Sequence, residues 1–321
     1  MPPPSLGEVL DRKLTRAKLK GSASLRTMEW NVRAIAEDLP RDMPAKSVTE
    51  VRLEQFVASK LTKGWKPASI NRLLAFLRSA LNIAHKSVDE DGNRLLDRVP
   101  TFELLQENNV RQTMPTYDDY QAILRELAKA PRQVPGTLPR LFTFYRITGY
   151  RKNEPLRLTW DRVDQFAEEI QLPKYDTKSK QWRAAWPYGQ HPELRQVVKE
   201  QWEAKLETER DRRAIIAHVF FKRTGKPIRS FRGAWQYARA AIGKPYLWVH
   251  DFRRVAARDL VKSRVDRKTA KALIGAKTDS IFERYHIVTT DDVRDAAQQL
   301  ARYHAVVSGE ASQRRLFGRA G

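Results

Sequence analysis

The sequence of 321 residues contains no cysteine, which excludes disulfide bonds, thiolate metal sites and a cysteine nucleophile. An absence of disulfides fits a reducing compartment such as the cytoplasm. No apolar run is long enough to span a bilayer, and the first residues lack the apolar core of a signal peptide. We therefore expect a cytoplasmic protein with no membrane partner.

Several common catalytic motifs are also missing. The sequence has no glycine-rich phosphate-binding loop, no His-Glu-x-x-His pair among its six histidines, and no acidic cluster suited to paired magnesium ions. We therefore expect no metal and no nucleotide cofactor. If the protein cleaves a phosphodiester, it should do so without metal.

Positive charge is abundant, with 60 lysines and arginines against 38 acidic residues and a formal net charge of +22. An excess this large, spread along the chain, predicts a polyanionic partner, and nucleic acid is the first candidate. The alternative is a basic but otherwise ordinary protein. Hydrophobic residues make up 41% of the chain, which is enough for a folded protein, and the length suits two domains.

Hydrophobic spacing predicts a helical bundle in the first part of the chain. Apolar residues recur every three or four positions in three stretches between about 24 and 86. Pro40 ends the first stretch and Gly64 closes the second. Because Arg72 and Arg78 lie off the apolar face of the third, the bundle should have a basic outer surface.

The second part of the chain mixes helical patterns with one strand pattern. Apolar residues at 170–172 and 183–186 flank a polar turn at 176–181, which predicts a β-hairpin or a three-stranded sheet. The predicted fold class is mainly α with a small β-sheet. The predicted helices cover 116–130, 137–148, 192–208, 229–241, 251–262, 266–275 and 290–306.

These patterns predict a domain order. We expect an N-terminal segment at 1–22, a helical domain at 23–95, a linker at 96–115, a mixed α/β domain at 116–306 and a flexible C-terminal tail at 307–321.

Metal-free attack on a phosphodiester requires a nucleophile, cationic donors for the phosphate oxygens, and an acid for the leaving alcohol. Guanidinium suits the second role because its planar fork binds two phosphate oxygens at once. A sequence that performs this chemistry should combine isolated arginines with a histidine, a lysine and a tyrosine. The second domain contains such a set, in the motifs Thr148-Gly149-Tyr150-Arg151-Lys152-Asn153-Glu154, His250-Asp251-Phe252-Arg253, Ile274-Gly275-Ala276 and Arg284-Tyr285-His286.

In order and spacing, these motifs resemble those of the tyrosine recombinase, or phage integrase, family. That family shows Thr-Gly-x-Arg-x-x-Glu, then His-x-x-Arg, then Leu-Gly-His, with a nucleophilic tyrosine ten positions after the last glycine. Here Tyr285 follows Gly275 by ten positions. Each motif alone is weak, and it is the ordered set that carries the resemblance, over about 116–300. The resemblance implies a mixed α/β integrase catalytic domain.

The resemblance also implies a role for each residue. Tyr285 would attack the scissile phosphate, forming a 3′-phosphotyrosyl link and a free 5′-hydroxyl. Arg151 and Arg253 would clamp the non-bridging oxygens, and His250 would help to take the tyrosine proton. Lys178 would protonate the leaving group. Because the phosphotyrosyl ester keeps the bond energy, rejoining would need no ATP.

Three further positions qualify this assignment. Lys180 is the alternative to Lys178 as the general acid. Glu154 matches the acidic position of the family, where it would orient the first arginine. Ala276 departs from the family pattern, because that position is usually His or Trp and alanine cannot donate a hydrogen bond to phosphate. Ala276 is either a tolerated variant, with slower chemistry or with a neighbour such as Lys277 as a substitute, or the mark of a regulated or weakened enzyme.

The resemblance extends more weakly to the helical N-terminal domain. The stretch 69–78 looks like the core-DNA-binding helix of the family, which implies a SAM-like core-DNA-binding domain. Candidates for reading bases are Asn71, Arg72 and Arg78, and contact with phosphate or solvent alone is the alternative. We expect no separate arm-site-binding domain, because few residues precede the first helix.

The implied partner is a double-stranded DNA recombination site, bound by a homo-tetramer on two duplexes, with accessory DNA-bending proteins as further partners. The last helix would dock on a neighbouring protomer, with packing in cis as the alternative. The expected function is that of an integrase that integrates or excises a mobile element. The alternatives are a chromosome or plasmid dimer resolvase, a type IB topoisomerase-like enzyme, and a catalytically weakened DNA-binding regulator.

Overall fold

The computed structural model describes residues 3–107, 113–130, 135–172, 184–276, 279, 282 and 290–317. The chain divides into two compact units, Met1–Val110 and Arg111–Gly321, which we call the N-terminal and the C-terminal unit. Each unit has its own hydrophobic core. The domain ranges expected from the sequence stay a prediction.

The N-terminal unit is a bundle of helices. Its elements are α1 (Leu6–Leu19), α2 (Leu25–Ala36), α3 (Glu50–Thr62) and α4 (Pro67–His85). Helix α4 packs against the other three and carries more buried apolar side chains than any of them, since its apolar residues recur at helical spacing. The bundle predicted from hydrophobic spacing is therefore present.

Two segments that the sequence analysis placed outside the bundle contribute to its core. Helix α1, within the expected N-terminal segment 1–22, starts with a capping box between Ser5 and Glu8 and packs on α4. Leu96 and Phe102, within the expected linker, are buried in the same core. The pattern Ser5-x-x-Glu8 was the sequence signal for α1.

The helices of the C-terminal unit follow the predicted order. The last of them, α12 (Thr290–Phe317), extends into the expected C-terminal tail at 307–321, and the flexibility of that tail stays a prediction. The helices are α5 (Tyr117–Ala128), α6 (Thr137–Thr148), α7 (Asn153–Arg157), α8 (Pro192–Arg212), α9 (Arg232–Ala241), α10 (Asp251–Lys262), α11 (Arg267–Ile274) and α12 (Thr290–Phe317).

A small antiparallel sheet lies between α7 and α8 in the chain. It consists of β1 (Val163–Asp164), β2 (Glu169–Ile170) and β3 (Trp186–Pro187), in that spatial order. Val163 pairs with Ile170, and Ile170 pairs with Trp186. All three side chains are buried, so one face of the sheet covers the core. A mainly helical fold with a small sheet is confirmed.

Aromatic packing fixes the position of α10. Phe252 is fully buried, and its ring makes edge contacts with Phe142 of α6 at 5.5 Å and with Trp235 of α9 at 6.2 Å between centroids. Such contacts add to the burial of large apolar surface. Because Phe252 precedes Arg253 in the chain, this packing also sets the place of the arginine. No helix in the described part of the chain combines the length and the apolarity that crossing a bilayer requires.

Candidate active site

Helix α6 ends at Gly149, a position whose backbone conformation and close neighbours favour glycine. Gly149 has φ +61°, in the left-handed region. A β-carbon at this position would lie 2.5 Å from Cδ1 of Ile274 and 3.0 Å from Cβ of Ala256. The glycine therefore allows α6, α10 and α11 to approach closely, and it turns the chain toward Arg151.

Arg151 is held by an acidic neighbour. Its Nη1 donates to Oε1 of Glu154 at 3.0 Å, and its backbone N–H donates to Oε2 of the same carboxylate at 2.7 Å. Glu154 is buried, whereas about a fifth of the Arg151 side chain is exposed. The carboxylate thus fixes both the backbone and the guanidinium of Arg151, the contact that the family resemblance implied.

A buried tyrosine supports the same loop. The hydroxyl of Tyr145 donates to the carbonyl of Lys152 at 2.5 Å. Burial raises the pKa of Tyr145 well above its ordinary value, and the negative charge of Glu154 raises this pKa further. The hydroxyl therefore stays protonated over the usual pH range and remains a donor to the loop that carries Arg151.

Arg253 is almost fully buried in α10, with 1% of its surface exposed. Its Nη1 donates to the carbonyl of Gly149 at 2.7 Å, and its Nη2 approaches the carbonyl of Gly275 at 3.4 Å. A buried charge is costly unless hydrogen-bonded groups surround it. These carbonyls supply acceptors at the ends of α6 and α11.

The two arginines converge on one atom. Nη2 of Arg151 donates to the carbonyl oxygen of Gly275 at 3.0 Å, the same oxygen that Arg253 approaches. Gly275 follows α11 with φ +71°, and its N–H donates back to Lys271 at 2.8 Å. Two arginines that are 102 positions apart in the chain are thus brought together in the fold.

The remaining predicted site residues are placed as follows. His250 is exposed and directly precedes α10, and the buried carboxylate of Asp251 accepts a hydrogen bond from the Trp248 N–H at 2.7 Å, which ties this turn to the helix. Lys178 and Tyr285, together with the alternative Lys180, lie outside the described residues. Their roles stay predictions.

Ala276 completes the cap of α11. Its N–H donates to the carbonyl of Lys271 at 3.0 Å, and its partly buried side chain packs on a small apolar cluster that includes Ala256 and Ile274. The methyl group at this position offers packing and no hydrogen bond.

The candidates for DNA contact in the N-terminal unit divide into two kinds. Arg72 and Arg78 are exposed on α4. Asn71 needs a correction, because it is buried and its amide pairs with the N–H and the carbonyl of Leu105, each at 2.9 Å, and with Glu107 at 2.7 Å. Its side chain ties the 105–107 segment to α4 and is not placed to read bases.

Sequence reasoning missed the main-chain part of the site. The carbonyls of Gly149 and Gly275 contact the arginines, although neither glycine was a candidate site residue. The available signal was a glycine at the end of each apolar helical stretch, a position that favours the left-handed conformation. In the described part of the chain, no three histidine or acidic side chains cluster closely enough to hold a metal ion.

The chain is similar to known integrases in sequence pattern and in fold. The model of the phage integrase family matches residues 114–291. The integrase of transposon Tn1549, solved in complex with circular intermediate DNA, is 16% identical, with 92% of this chain and 99% of that chain covered and a TM-score of 0.71.

Lambda integrase gives similar matches. A lambda integrase dimer bound to a COC′ core site is 18% identical, with coverage of 88% and 95% and a TM-score of 0.66. A lambda integrase tetramer bound to a Holliday junction is 19% identical, with coverage of 88% and 77% and a TM-score of 0.63. At these identities the likeness is one of fold. A comparison with curated proteins gives no match.

Proposed function

The chain belongs to the phage integrase family and is a tyrosine site-specific recombinase, and we propose that it cleaves and rejoins DNA through a 3′-phosphotyrosyl bond at Tyr285. The observation that carries this proposal is the convergence of Arg151 and Arg253 on one carbonyl. Two guanidiniums held side by side form a clamp suited to the non-bridging oxygens of a phosphodiester.

Each step has a residue assigned to it. The Tyr285 oxygen attacks phosphorus in line, and the bond from phosphorus to the 5′ oxygen breaks. Arg151 and Arg253 stabilise the charge that develops on the non-bridging oxygens. His250 assists removal of the tyrosine proton, and Lys178 gives a proton to the departing 5′ oxygen. Attack by a 5′-hydroxyl of the partner strand reverses the sequence, with no need for metal or ATP.

DNA binding is proposed for both units. The net charge of +22 favours phosphate contacts, whose affinity falls steeply with salt. We assign the N-terminal unit the part of a core-DNA-binding domain, with Arg72 and Arg78 as contacts. This assignment is supported by their exposure on α4. The solved complexes of the Tn1549 and lambda integrases with DNA support a double-stranded DNA recombination site as the partner.

The working assembly is proposed to be a homo-tetramer on two duplexes. Recombination by strand exchange needs four cleavages, and lambda integrase has been solved as a tetramer on a Holliday junction. Helix α12 supports this assembly because apolar side chains are exposed along it, among them Val293, Leu300, Tyr303 and Val307. Mobile-element integration or excision, a cytoplasmic location and accessory DNA-bending proteins complete the proposal.

The test traps the covalent intermediate. A binding site is first selected from a random duplex library, and a nicked version of that site is incubated with the protein in EDTA. The nick lets the cleaved end diffuse away, so the phosphotyrosyl product accumulates. We expect a covalent band on denaturing electrophoresis for wild type and for Tyr237→Phe, an exposed tyrosine of α9 that serves as the control. Tyr285→Phe should give no band.

Other outcomes select the alternatives. No band from wild type on DNA that it binds specifically would indicate a DNA-binding regulator, the candidate that Ala276 favours. Relaxation of supercoiled DNA without recombinant products would indicate a topoisomerase-like enzyme. A covalent band that persists in Tyr285→Phe would assign the nucleophile to another residue.

A further inference from the structure

The carbonyl of Gly275 is shared by both guanidiniums of the candidate active site. Nη2 of Arg151 lies 3.0 Å from this oxygen and Nη2 of Arg253 lies 3.4 Å from it. A carbonyl oxygen has two lone pairs and can accept from two donors. We propose that Gly275 is a positioning residue whose carbonyl sets the geometry of the arginine clamp, an inference that rests on the proposed function.

Each arginine has a second hydrogen bond besides the one to Gly275, and the two together fix the orientation of its guanidinium. Arg253 is also held through Nη1 by the carbonyl of Gly149 at 2.7 Å, and Arg151 is held through Nη1 by Glu154 at 3.0 Å. A planar guanidinium with acceptors at two of its nitrogens has a fixed plane as well as a fixed position. The shared oxygen then sets the separation of the two planes.

The backbone at the end of α11 explains why this oxygen is available. The last carbonyls of a helix have no partner within the helix, and they carry the negative end of its dipole. At φ +71°, Gly275 reverses the chain so that its N–H caps α11 while its own carbonyl faces the arginines. A residue with a β-carbon adopts this conformation only with strain, whereas asparagine tolerates it better.

A neutral acceptor also suits the reaction. A carboxylate in this position would bind the guanidiniums more tightly and would repel the phosphate that they are to hold. The carbonyl orients the same N–H groups without adding a negative charge. Gly275 therefore aligns the clamp and leaves its attraction for phosphate in place.

The test compares two left-handed glycines that follow helices. Gly275→Ala and Gly275→Asn are the test variants. Gly243→Ala is the control, because Gly243 follows α9 with φ +69° and has no atom within 4 Å of the position of a β-carbon. The control carries the same backbone strain away from the arginines. Thermal unfolding and DNA binding are measured for every variant. If Gly275→Ala does not fold, the cleavage rate of Gly275→Asn is compared with wild type instead.

Cleavage is measured in a single turnover on two nicked substrates. One has the natural scissile phosphate, and the other has a methylphosphonate, in which a methyl group replaces one non-bridging oxygen and removes the negative charge. On phosphate we expect Gly275→Ala to be about 10- to 100-fold slower than wild type, as for a misplaced catalytic group. Gly275→Asn should be slowed less, and Gly243→Ala should match wild type.

The methylphosphonate separates positioning from a general structural role. With one oxygen fewer to clamp, the ratio of the wild-type rate to the Gly275→Ala rate should fall well below its value on phosphate. A wild-type rate for Gly275→Ala on phosphate would overturn the inference, as would an equal loss on both substrates. Failure of wild type itself to form covalent product would overturn the proposed function, and this inference with it.

Discussion

Lys60 in the N-terminal unit and Arg253 in the C-terminal unit both have a buried cationic side chain, and the two charges have different hydrogen-bond acceptors. In the N-terminal unit, Lys60 has no exposed surface, and its ammonium forms ion pairs of 2.7 Å with both Glu37 and Asp38. The same ammonium lies 4.8 Å from the centre of the Trp65 ring. In the C-terminal unit, the buried guanidinium of Arg253 donates to main-chain carbonyls.

The difference separates a charge that contributes to folding from a charge that is proposed to bind phosphate. Carboxylates cancel the charge of Lys60 where it lies, so that cluster contributes to folding. The carbonyls of Gly149 and Gly275 orient Arg253 and add no negative charge of their own, which suits a guanidinium that is proposed to bind an anion. The burial of a cation therefore says less about its role than the nature of its acceptors does.

Removing Lys60 should have the largest effect on stability. Lys60→Ala removes a buried ammonium and leaves the partly buried carboxylate of Asp38 with less compensation, and we expect the free energy of opening of α3 and α4 to fall by about 3–5 kcal/mol. Amide hydrogen exchange in the full-length chain measures this quantity. The rate of DNA cleavage by the folded, DNA-bound protein should stay at the wild-type value.

Lys63→Ala is the matched control. Lys63 pairs with the same carboxylate at 2.8 Å, but its side chain is about half exposed. Exposed ion pairs contribute about 1 kcal/mol or less. Equal losses from Lys60→Ala and Lys63→Ala would contradict the distinction between a buried and an exposed partner.

Arg253→Lys should have the next largest effect, and on chemistry rather than on folding. A single ammonium cannot span the carbonyls of Gly149 and Gly275 and also present a fork to phosphate. We expect single-turnover cleavage to slow by about 100- to 1000-fold, as on loss of one oxyanion donor. Arg258→Lys, at a partly buried arginine of the same helix, is the control. Similar rates for both variants would refute the assignment of Arg253 to the clamp.

Acid should destabilise the Lys60 cluster by a smaller amount. Burial alone would raise the pKa of Asp38, but hydrogen bonds from Lys60, Lys63 and Ser59 lower it from its ordinary 3.8 to about 2. Because the folded-state pKa is the lower one, the stabilisation is complete above about pH 4 and is lost as the pH falls through about 2.

Urea unfolding followed by circular dichroism between pH 5 and pH 2 measures this effect. We expect the unfolding free energy of wild type to fall by about 1–2 kcal/mol more than that of Asp38→Asn over this range. Asp11→Asn, which removes a surface ion pair with Arg41, controls for the loss of one carboxylate. Parallel curves for wild type and Asp38→Asn would show that Asp38 does not carry the acid sensitivity.

Much of the fold was predictable because helical periodicity is local. The apolar spacing along α4 and the capping pattern before α5 lie within single segments, and both elements form as expected. The role of Asn71 was not predictable, because it depends on Leu105 and Glu107, more than thirty positions along the chain.

The sequence by itself determined which side chains are proposed for the chemistry: two arginines, a histidine, a lysine and a tyrosine in the order and spacing of the integrase family. Only the tertiary structure decided that the main-chain carbonyls of Gly149 and Gly275 hold the arginines together with Glu154. The physical reason is that a residue type specifies a donor, whereas the acceptor within its reach depends on how α6, α10 and α11 pack. That packing depends on the whole core and cannot be predicted from any one segment of the sequence.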